Sequence, residues 1–337
     1  MIKVGIIGFG FMGRMHYRCW KSMRNAHVVA LCDENRQAWH GPGGGNIAGA
    51  EGEVDLSDLT VYADPDEMLA REKLDAVSIT LPTHLHAALT LKALERGVHV
   101  LCEKPMALSP ADGQRMIEAA QKNGKILQIG HCIRFWPEYS KAKEIVDSGA
   151  YGRVVTASFQ RYSATAYSKK DSWFADENKS GGMVFDLHIH DTDFVQYLFG
   201  MPAAVCSHAA ITPDGGISHI FTRYNYPGGP LVTAEGGWAM TPSYGFAMKF
   251  LIVMEKAVLS FSSASSPTLK LHPAAGEVSA PQLEAGDGYS RQIEYFVKTV
   301  RGEPVPVITT PEQALDSLRI AAAECESARK GSCVNVE

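Results

Sequence analysis

Apolar runs of four to six residues alternate with helical patterns through the first 130 residues of the chain. This rhythm belongs to successive βαβ units, whose strands are buried on both faces and read as continuous apolar segments. The predicted strands are residues 3–7, 27–32, 59–62, 76–80, 98–102 and 126–129. Between them, Asp64-Pro65-Asp66-Glu67 and Ser109-Pro110 each set a capping side chain ahead of a first-turn proline and mark helix starts. The run Gly41-Pro42-Gly43-Gly44-Gly45-Asn46 breaks the rhythm with a spacing unlike a phosphate loop, and it reads as a surface excursion.

After Gly130 the period shortens. Alternating segments at 154–161, 217–226, 231–238, 248–254 and 257–261 are separated by Pro/Gly turns, which predicts a largely antiparallel sheet. Helices follow near 287–301 and from Thr310-Pro311-Glu312-Gln313, a capping box with Leu315, Leu318, Ala322 and Cys325 at helical spacing. The expected organisation is one domain over residues 1–130 and a second over 131–337, with the last helix able to pack back on the first domain.

Composition narrows the partners. The chain has 337 residues, enough for about two domains, and 45% hydrophobic with 20% charged residues is ordinary for a globular protein. No stretch approaches the roughly 20 apolar residues of a membrane span, and the amino terminus runs straight into a strand pattern, so a cytoplasmic protein is expected. Cysteines at 19, 32, 102, 132, 206, 325 and 333 form no CxxC pair and are odd in number, so reduced thiols are expected. A net charge of −5 with a pI near 6.2 offers no basic field for nucleic acid. Small neutral or modestly charged partners remain.

The chemistry begins at Gly8-Phe9-Gly10-Phe11-Met12-Gly13, directly after the first strand and opening a helical pattern. Gly8, Gly10 and Gly13 permit a tight turn and bring backbone amides, those of Phe11 and Met12 among them, to a pyrophosphate at a helix amino terminus. Asp33 closes the second strand 20 residues after Gly13, where an acid meets adenosine ribose hydroxyls and repels a 2′-phosphate. NAD is therefore the expected cofactor. Arg36, near enough to take a 2′-phosphate, keeps NADP open.

Two further places carry ionisable groups. Glu103-Lys104-Pro105 ends the fifth strand, on the rim where open α/β sheets bind ligands, and the proline disfavours the α region for Lys104. In the run from Gly181 to Asp193, a helix would put Asp186 and His190 on one face and His188 roughly opposite. A histidine titrating near ~6.5 beside a carboxylate suits general acid–base work. The same residues also suit a helix amino terminus dressed with acids that favour the macrodipole. A metal reading of His188, His190 and the neighbouring acids is disfavoured, because alternate residues on a helix diverge. No metal is expected.

The glycine turn, Pro82-Thr83-His84-Leu85-His86, Glu103-Lys104-Pro105 and the Gly181–Asp193 pattern with its Asp186-x-x-x-His190-Asp191-x-Asp193 core together resemble the Gfo/Idh/MocA oxidoreductases, which include glucose-fructose oxidoreductase and inositol dehydrogenases. The resemblance covers nearly the whole chain, including Glu235-Gly236-Gly237-Trp238. It implies an α/β fold with an N-terminal Rossmann domain and a C-terminal α+β domain on an open-faced, mostly antiparallel sheet that often forms oligomer contacts. It further implies that Lys104, Asp186 and His190 are catalytic, and that Thr80, Pro82, Thr83, His86 and Lys104 lie by the cofactor, with Thr83 equally suited to capping the helix after it; Glu103 would anchor the lysine or approach the nicotinamide ribose. His131, Arg134, Arg161, Trp173 and Tyr289 are candidates for substrate contacts beside Lys104, Asp186 and His190, with packing or a surface ion pair as the alternative for each. The activity expected is NAD-dependent oxidation of a secondary alcohol on a sugar, glycoside or polyol by a homo-oligomer. The alternatives are a glycoside-cleaving enzyme that recycles its NAD internally and a non-catalytic nucleotide-binding protein.

Overall fold

The computed structural model of the protein describes residues 1–35, 54–164 and 173–336; the glycine run at 41–46 and Arg36 lie outside the described residues. The chain divides into two compact units, Met1–Cys132 with Asp287–Leu315, and Ile133–Gly286 with Asp316–Glu337.

In the first unit, β1 (Ile2–Ile7), α1 (Phe11–Ser22), β2 (Ala26–Cys32), β3 (Thr60–Tyr62), α2 (Pro65–Arg71), β4 (Ala76–Ile79), α3 (His86–Glu95), β5 (His99–Cys102), α4 (Pro110–Asn123) and β6 (Leu127–Ile129) alternate along the chain. The six strands pair in parallel in the order β3-β2-β1-β4-β5-β6. The order reverses between β1 and β4, and ligands of such sheets bind outside the carboxyl ends of the strands at that switch point. The caps read from sequence form as expected: Asp64 accepts the Asp66 N–H, and Ser109 accepts the Asp112 N–H.

The second unit holds α5 (Pro137–Asp147), β7 (Val154–Tyr162), α6 (Glu177–Ser180), a π turn (Val184–His188), α7 (Ile189–Phe199) and strands β8 (Ala204–Ile211), β9 (Ile217–Asn225), β10 (Leu231–Gly237), β11 (Ala247–Met254), β12 (Ala257–Ser262) and β13 (Leu269–Pro273). Helix α8 (Gly288–Val300), helix α9 (Pro311–Lys330) and β14 (Val334–Asn335) complete the chain. The sheet runs β13-β12-β11-β7-β10-β9-β8-β14 and is antiparallel except where β7 lies parallel to β10. One face is apolar, with Phe159, Phe250 and Phe261 meeting Tyr139 of α5 or Phe194 of α7 at ring distances of 5.1–5.9 Å.

Two expectations need correction. The second domain does not take all of residues 131–337: α8 belongs with the first unit, where Phe296 packs edge-on to Trp20 of α1 at 6.0 Å and the Gln128 amide donates to the Gln292 carbonyl at 3.1 Å, and the first turn of the last helix, to Leu315, belongs there too. The apolar face of α8 fits either unit by periodicity alone, so the pattern did not assign it. The thiols are not all reduced either, because Cys206 and Cys333 form a disulfide across a sequence separation of 127 residues. Pairing of β14 with β8, Val334 opposite Val205, brings the two cysteines side by side, and the cysteine argument for a reducing compartment falls with it. Cys19, Cys32 and Cys325 are buried, which pushes each thiol up to about 12. Among the described residues no helix is long and apolar enough to cross a membrane.

Phe194 is fully buried among these rings. Phe194→Ala is expected to lower unfolding free energy by about 3–5 kcal/mol, read from urea melts; a loss under ~1 kcal/mol would show that the cluster does not hold the second unit together.

Candidate active site

The glycine turn is shaped by contacts that exclude side chains. Gly8 takes φ +92°, and a Cβ there would lie 2.8 Å from the Thr80 carbonyl oxygen; one on Gly13 would lie 2.0 Å from the Gly8 oxygen. The Thr80 hydroxyl donates to the Gly8 carbonyl at 2.7 Å and ties the end of β4 to the turn. A Cβ on Gly10 would meet no protein atom within 4 Å. Gly10 starts α1 without a side-chain cap and without an acid in the first turn, so the first amides, those around Phe11 and Met12, keep their donors and the positive end of the dipole. Asp33 accepts the Phe9 N–H at 2.6 Å and the Asn35 N–H at 2.8 Å, one on each oxygen. Each oxygen retains a lone pair for a hydroxyl. These features fit a dinucleotide: an open approach at Gly10, unopposed amides, and an oriented acid.

Pro82 and Thr83 open the 3-10 turn Thr83–Leu85 after β4, with Thr83 buried. His86 corrects an expectation. Its Nδ1 lies 2.8 Å from the Pro105 carbonyl and its Nε2 2.8 Å from the Leu81 carbonyl, and it is 1% exposed. Burial pushes the imidazole pKa down against the pull of those two carbonyls. The ring therefore staples the turn after β4 to the Lys104-Pro105 turn and is spent on backbone, where a cofactor contact had been expected. Glu103, expected at the cofactor or as a lysine anchor, is buried: its Oε1 pairs with His16 Nε2 at 3.0 Å and its Oε2 accepts the Lys104 N–H at 3.2 Å.

In the second unit, Asp186 stands in the π turn and His190 in the first turn of α7, both half-buried, while His188 between them is fully buried. His188 packs on β10 so closely that a Cβ on Gly236 would be 2.8 Å from its Nδ1, and its Nε2 lies 3.5 Å from Glu324 on α9. Tyr224 and Thr192 donate to the same buried Glu324, at 2.6 and 3.1 Å. Burial and the Glu324 charge push the Tyr224 phenol well up.

Arg134 and Arg161, candidates for either substrate contacts or ion pairs, each hold a buried carboxylate. Arg134 grips Asp193 through two bonds of 2.8 Å and reaches Gln196 at 2.9 Å, with Ser317 on the same carboxylate at 2.9 Å. Arg161 grips Asp191 through two bonds of 3.0 Å. All four charged groups are buried, and two-point guanidinium–carboxylate geometry is what makes such burial tolerable. Asp191 and Asp193, the acids a metal would draw on, are thereby neutralised. Trp173 is half-buried and stacks on Phe174 at 3.9 Å. His131 and Tyr289 are buried in the first unit, Tyr289 in the first turn of α8. Sequence reasoning missed His16, Ser78 and Glu324, buried polar groups whose partners lie 58 to 132 residues away.

Comparison with known proteins names the group. A model described as "Oxidoreductase family, NAD-binding Rossmann fold" matches residues 2–131, and the GFO/IDH/MocA C-terminal domain matches residues 139–260. The chain belongs to the Gfo/Idh/MocA family. Among relatives, 2,7-anhydro-N-acetylneuraminate hydratase of Mediterraneibacter gnavus is 34% identical over 60% of this chain and 51% of its own. The match thus spans about half the length of that relative. D-glucoside 3-dehydrogenase of Escherichia coli is 25% identical over 99% of this chain and 97% of its own. A levoglucosan dehydrogenase solved with NADH and levoglucosan superposes with a TM-score of 0.83 at 22% identity, covering 99% of both chains, and shares the fold.

In this Gfo/Idh/MocA chain two variants separate binding from packing roles. Gly10→Ala adds a methyl that touches no protein atom, so melting should hold while NAD binding weakens about tenfold or more by calorimetry; unchanged affinity would remove Gly10 from the cofactor site. Arg161→Leu is expected to cost about 3–5 kcal/mol by stranding Asp191, with most of it recovered in Arg161→Leu/Asp191→Leu. Unchanged stability with a raised KM would return Arg161 to the substrate.

Proposed function

We propose that the protein is an NAD-dependent dehydrogenase that oxidises a secondary alcohol of a sugar, glycoside or polyol. The observation that carries this reading is the complete set of Lys104, Asp186 and His190 on a family chain whose glycine turn and Asp33 fit a dinucleotide. Bound NAD would supply the hydride acceptor. The protein must then remove the hydroxyl proton and stabilise the oxygen left behind. His190 is assigned the proton, Lys104 the developing alkoxide, and Asp186 the orientation of the hydroxyl or the imidazole. Asp33 favours NAD through like-charge repulsion of a 2′-phosphate.

A redox-neutral reaction is the second reading, favoured by the 34% identity to a hydratase. A hydratase adds water without net oxidation, which agrees with internal cofactor recycling but is not glycoside cleavage, so the alternative is supported only in its redox balance. We also propose self-association. Phe221, Leu231 and Leu251 share the outer face of the second sheet and are 43%, 56% and 42% exposed; patches of this kind mark contact surfaces.

Incubation with NAD and a panel of glycosides and polyols should give reduced cofactor, read by its absorbance. Lys104→Ala and His190→Ala should each lose about 100-fold or more in kcat with NAD affinity retained. Normal turnover by both variants would discard the dehydrogenase and its residue roles, whereas substrate consumption without net reduced cofactor would select the redox-neutral reading.

A further inference from the structure

Behind the lysine turn of the first unit lies a buried polar chain that the proposed chemistry leaves unused. Trp20 Nε1 donates to Ser78 Oγ at 2.8 Å, Ser78 Oγ lies 3.1 Å from His16 Nδ1, and His16 Nε2 lies 3.0 Å from Glu103 Oε1. Glu103 Oε2 then accepts the Lys104 N–H at 3.2 Å. His16 and Ser78 are 0% exposed and Glu103 5%.

Donor and acceptor chemistry gives this chain a direction. An indole N–H only donates and a carboxylate only accepts, so His16 must carry a proton on Nε2 and present it to Glu103. Ser78 completes the chain with either charge state of the ring: it donates to Nδ1 of a neutral imidazole or accepts from an imidazolium. Space is tight on the far side as well, since a Cβ on Gly130 would lie 2.8 Å from Glu103 Oε1. A buried carboxylate held only for packing would be costly to keep. Its second oxygen, however, ends on the amide of Lys104.

We propose that His16 is a positioning residue for Lys104, acting through Glu103: it holds the carboxylate in place and in its charged form, and the carboxylate fixes the root of the lysine and sets a negative charge beside its ammonium. The inference rests on the role proposed above for Lys104. His16 stands on α1, three residues beyond Gly13, so the helix that opens at the glycine turn is bonded directly to the lysine turn. Removing the Nε2 donor would leave only Lys104 to oppose the effect of burial on Glu103.

The groups facing Glu103 are few. They are His16 on α1, Lys104 on its own turn, His86 on α3, whose imidazole is pushed down by burial, and the Cys102 thiol, which burial pushes up and keeps neutral. Burial itself pushes the Glu103 carboxyl up, but the His16 bond and charge with those of Lys104 outweigh it, and the net direction is down. Loss of the His16 donor should therefore raise it.

The test compares His16→Leu, which removes the donor, with His16→Gln, whose amide N–H can reach the same oxygen, by kinetics and by 13C NMR of labelled glutamate. In His16→Leu the Glu103 carboxyl signal should titrate at higher pH by about one unit or more. Its kcat should fall by about 100-fold, its acid limb should move up in parallel, and its KM for NAD should change by less than about threefold. His16→Gln should restore all three. Equal loss in both variants, or an unmoved Glu103 signal, would overturn the proposal. If His16→Leu does not fold, Glu103→Gln decides: the acid limb should flatten, and an acid limb like the wild type would overturn it. Lys104→Ala separates the two levels. Normal turnover there defeats the proposed function, whereas an inactive Lys104→Ala beside a wild-type pH profile in both His16→Leu and Glu103→Gln defeats only the role of His16.

Discussion

Two buried guanidinium–carboxylate pairs hold the element that carries Asp186 and His190. Arg134 reaches Asp193 from the short turn after β6, and Arg161 reaches Asp191 from the middle of the second sheet. Desolvating each ion costs several kcal/mol, so pairs of this kind add little net stability and are intolerant of partial loss. What they supply is placement. Asp191 is held by Arg161, and Asp193 by Arg134 and by Ser317 of α9, so the start of α7 is fixed at two of its residues, directly after the half-buried positions 186 and 190.

The same economy of design appears in the first unit. There a buried polar chain ends on the main-chain N–H of half-buried Lys104 and runs back through Glu103, His16 and Ser78 to an indole. In each unit the ionisable groups proposed for the site stand next in the chain to a buried network whose members are bonded to one another. Low local dielectric strengthens each link and raises the penalty for a missing one. Sites built in this way hold their geometry without a ligand to organise them.

Whatever rests on consecutive residues was legible in the sequence. The glycine turn, Asp33 at the end of β2 and Lys104 after β5 follow from strand, turn and helix signals within 33 residues of one another or at strand ends. The roles of Arg134 and Arg161 were not, because an arginine near a site reads the same whether its acid is a substrate or a side chain 59 or 30 residues later. Strand β8, Ala-Val-Cys-Ser-His-Ala-Ala-Ile, lacks the large alternating residues that announce a strand, and it is held by its neighbours β9 and β14. The π turn at Val184–His188 has no composition of its own. It is accommodated because Gly236 lets His188 close on β10, a steric permission visible only in three dimensions.

Microscopic reversibility explains how one such site serves unlike net reactions. An imidazole that takes a proton from a carbinol in one direction returns it in the other, and a cation that stabilises an alkoxide does so for either. A redox-neutral enzyme needs both directions in one turnover, whereas a dehydrogenase needs one of them before release. On the roles proposed above, the demands on Lys104, Asp186 and His190 would be the same for both. A hydratase and a glucoside dehydrogenase both align with this chain, which is consistent with the two readings proposed above resting on one set of residues.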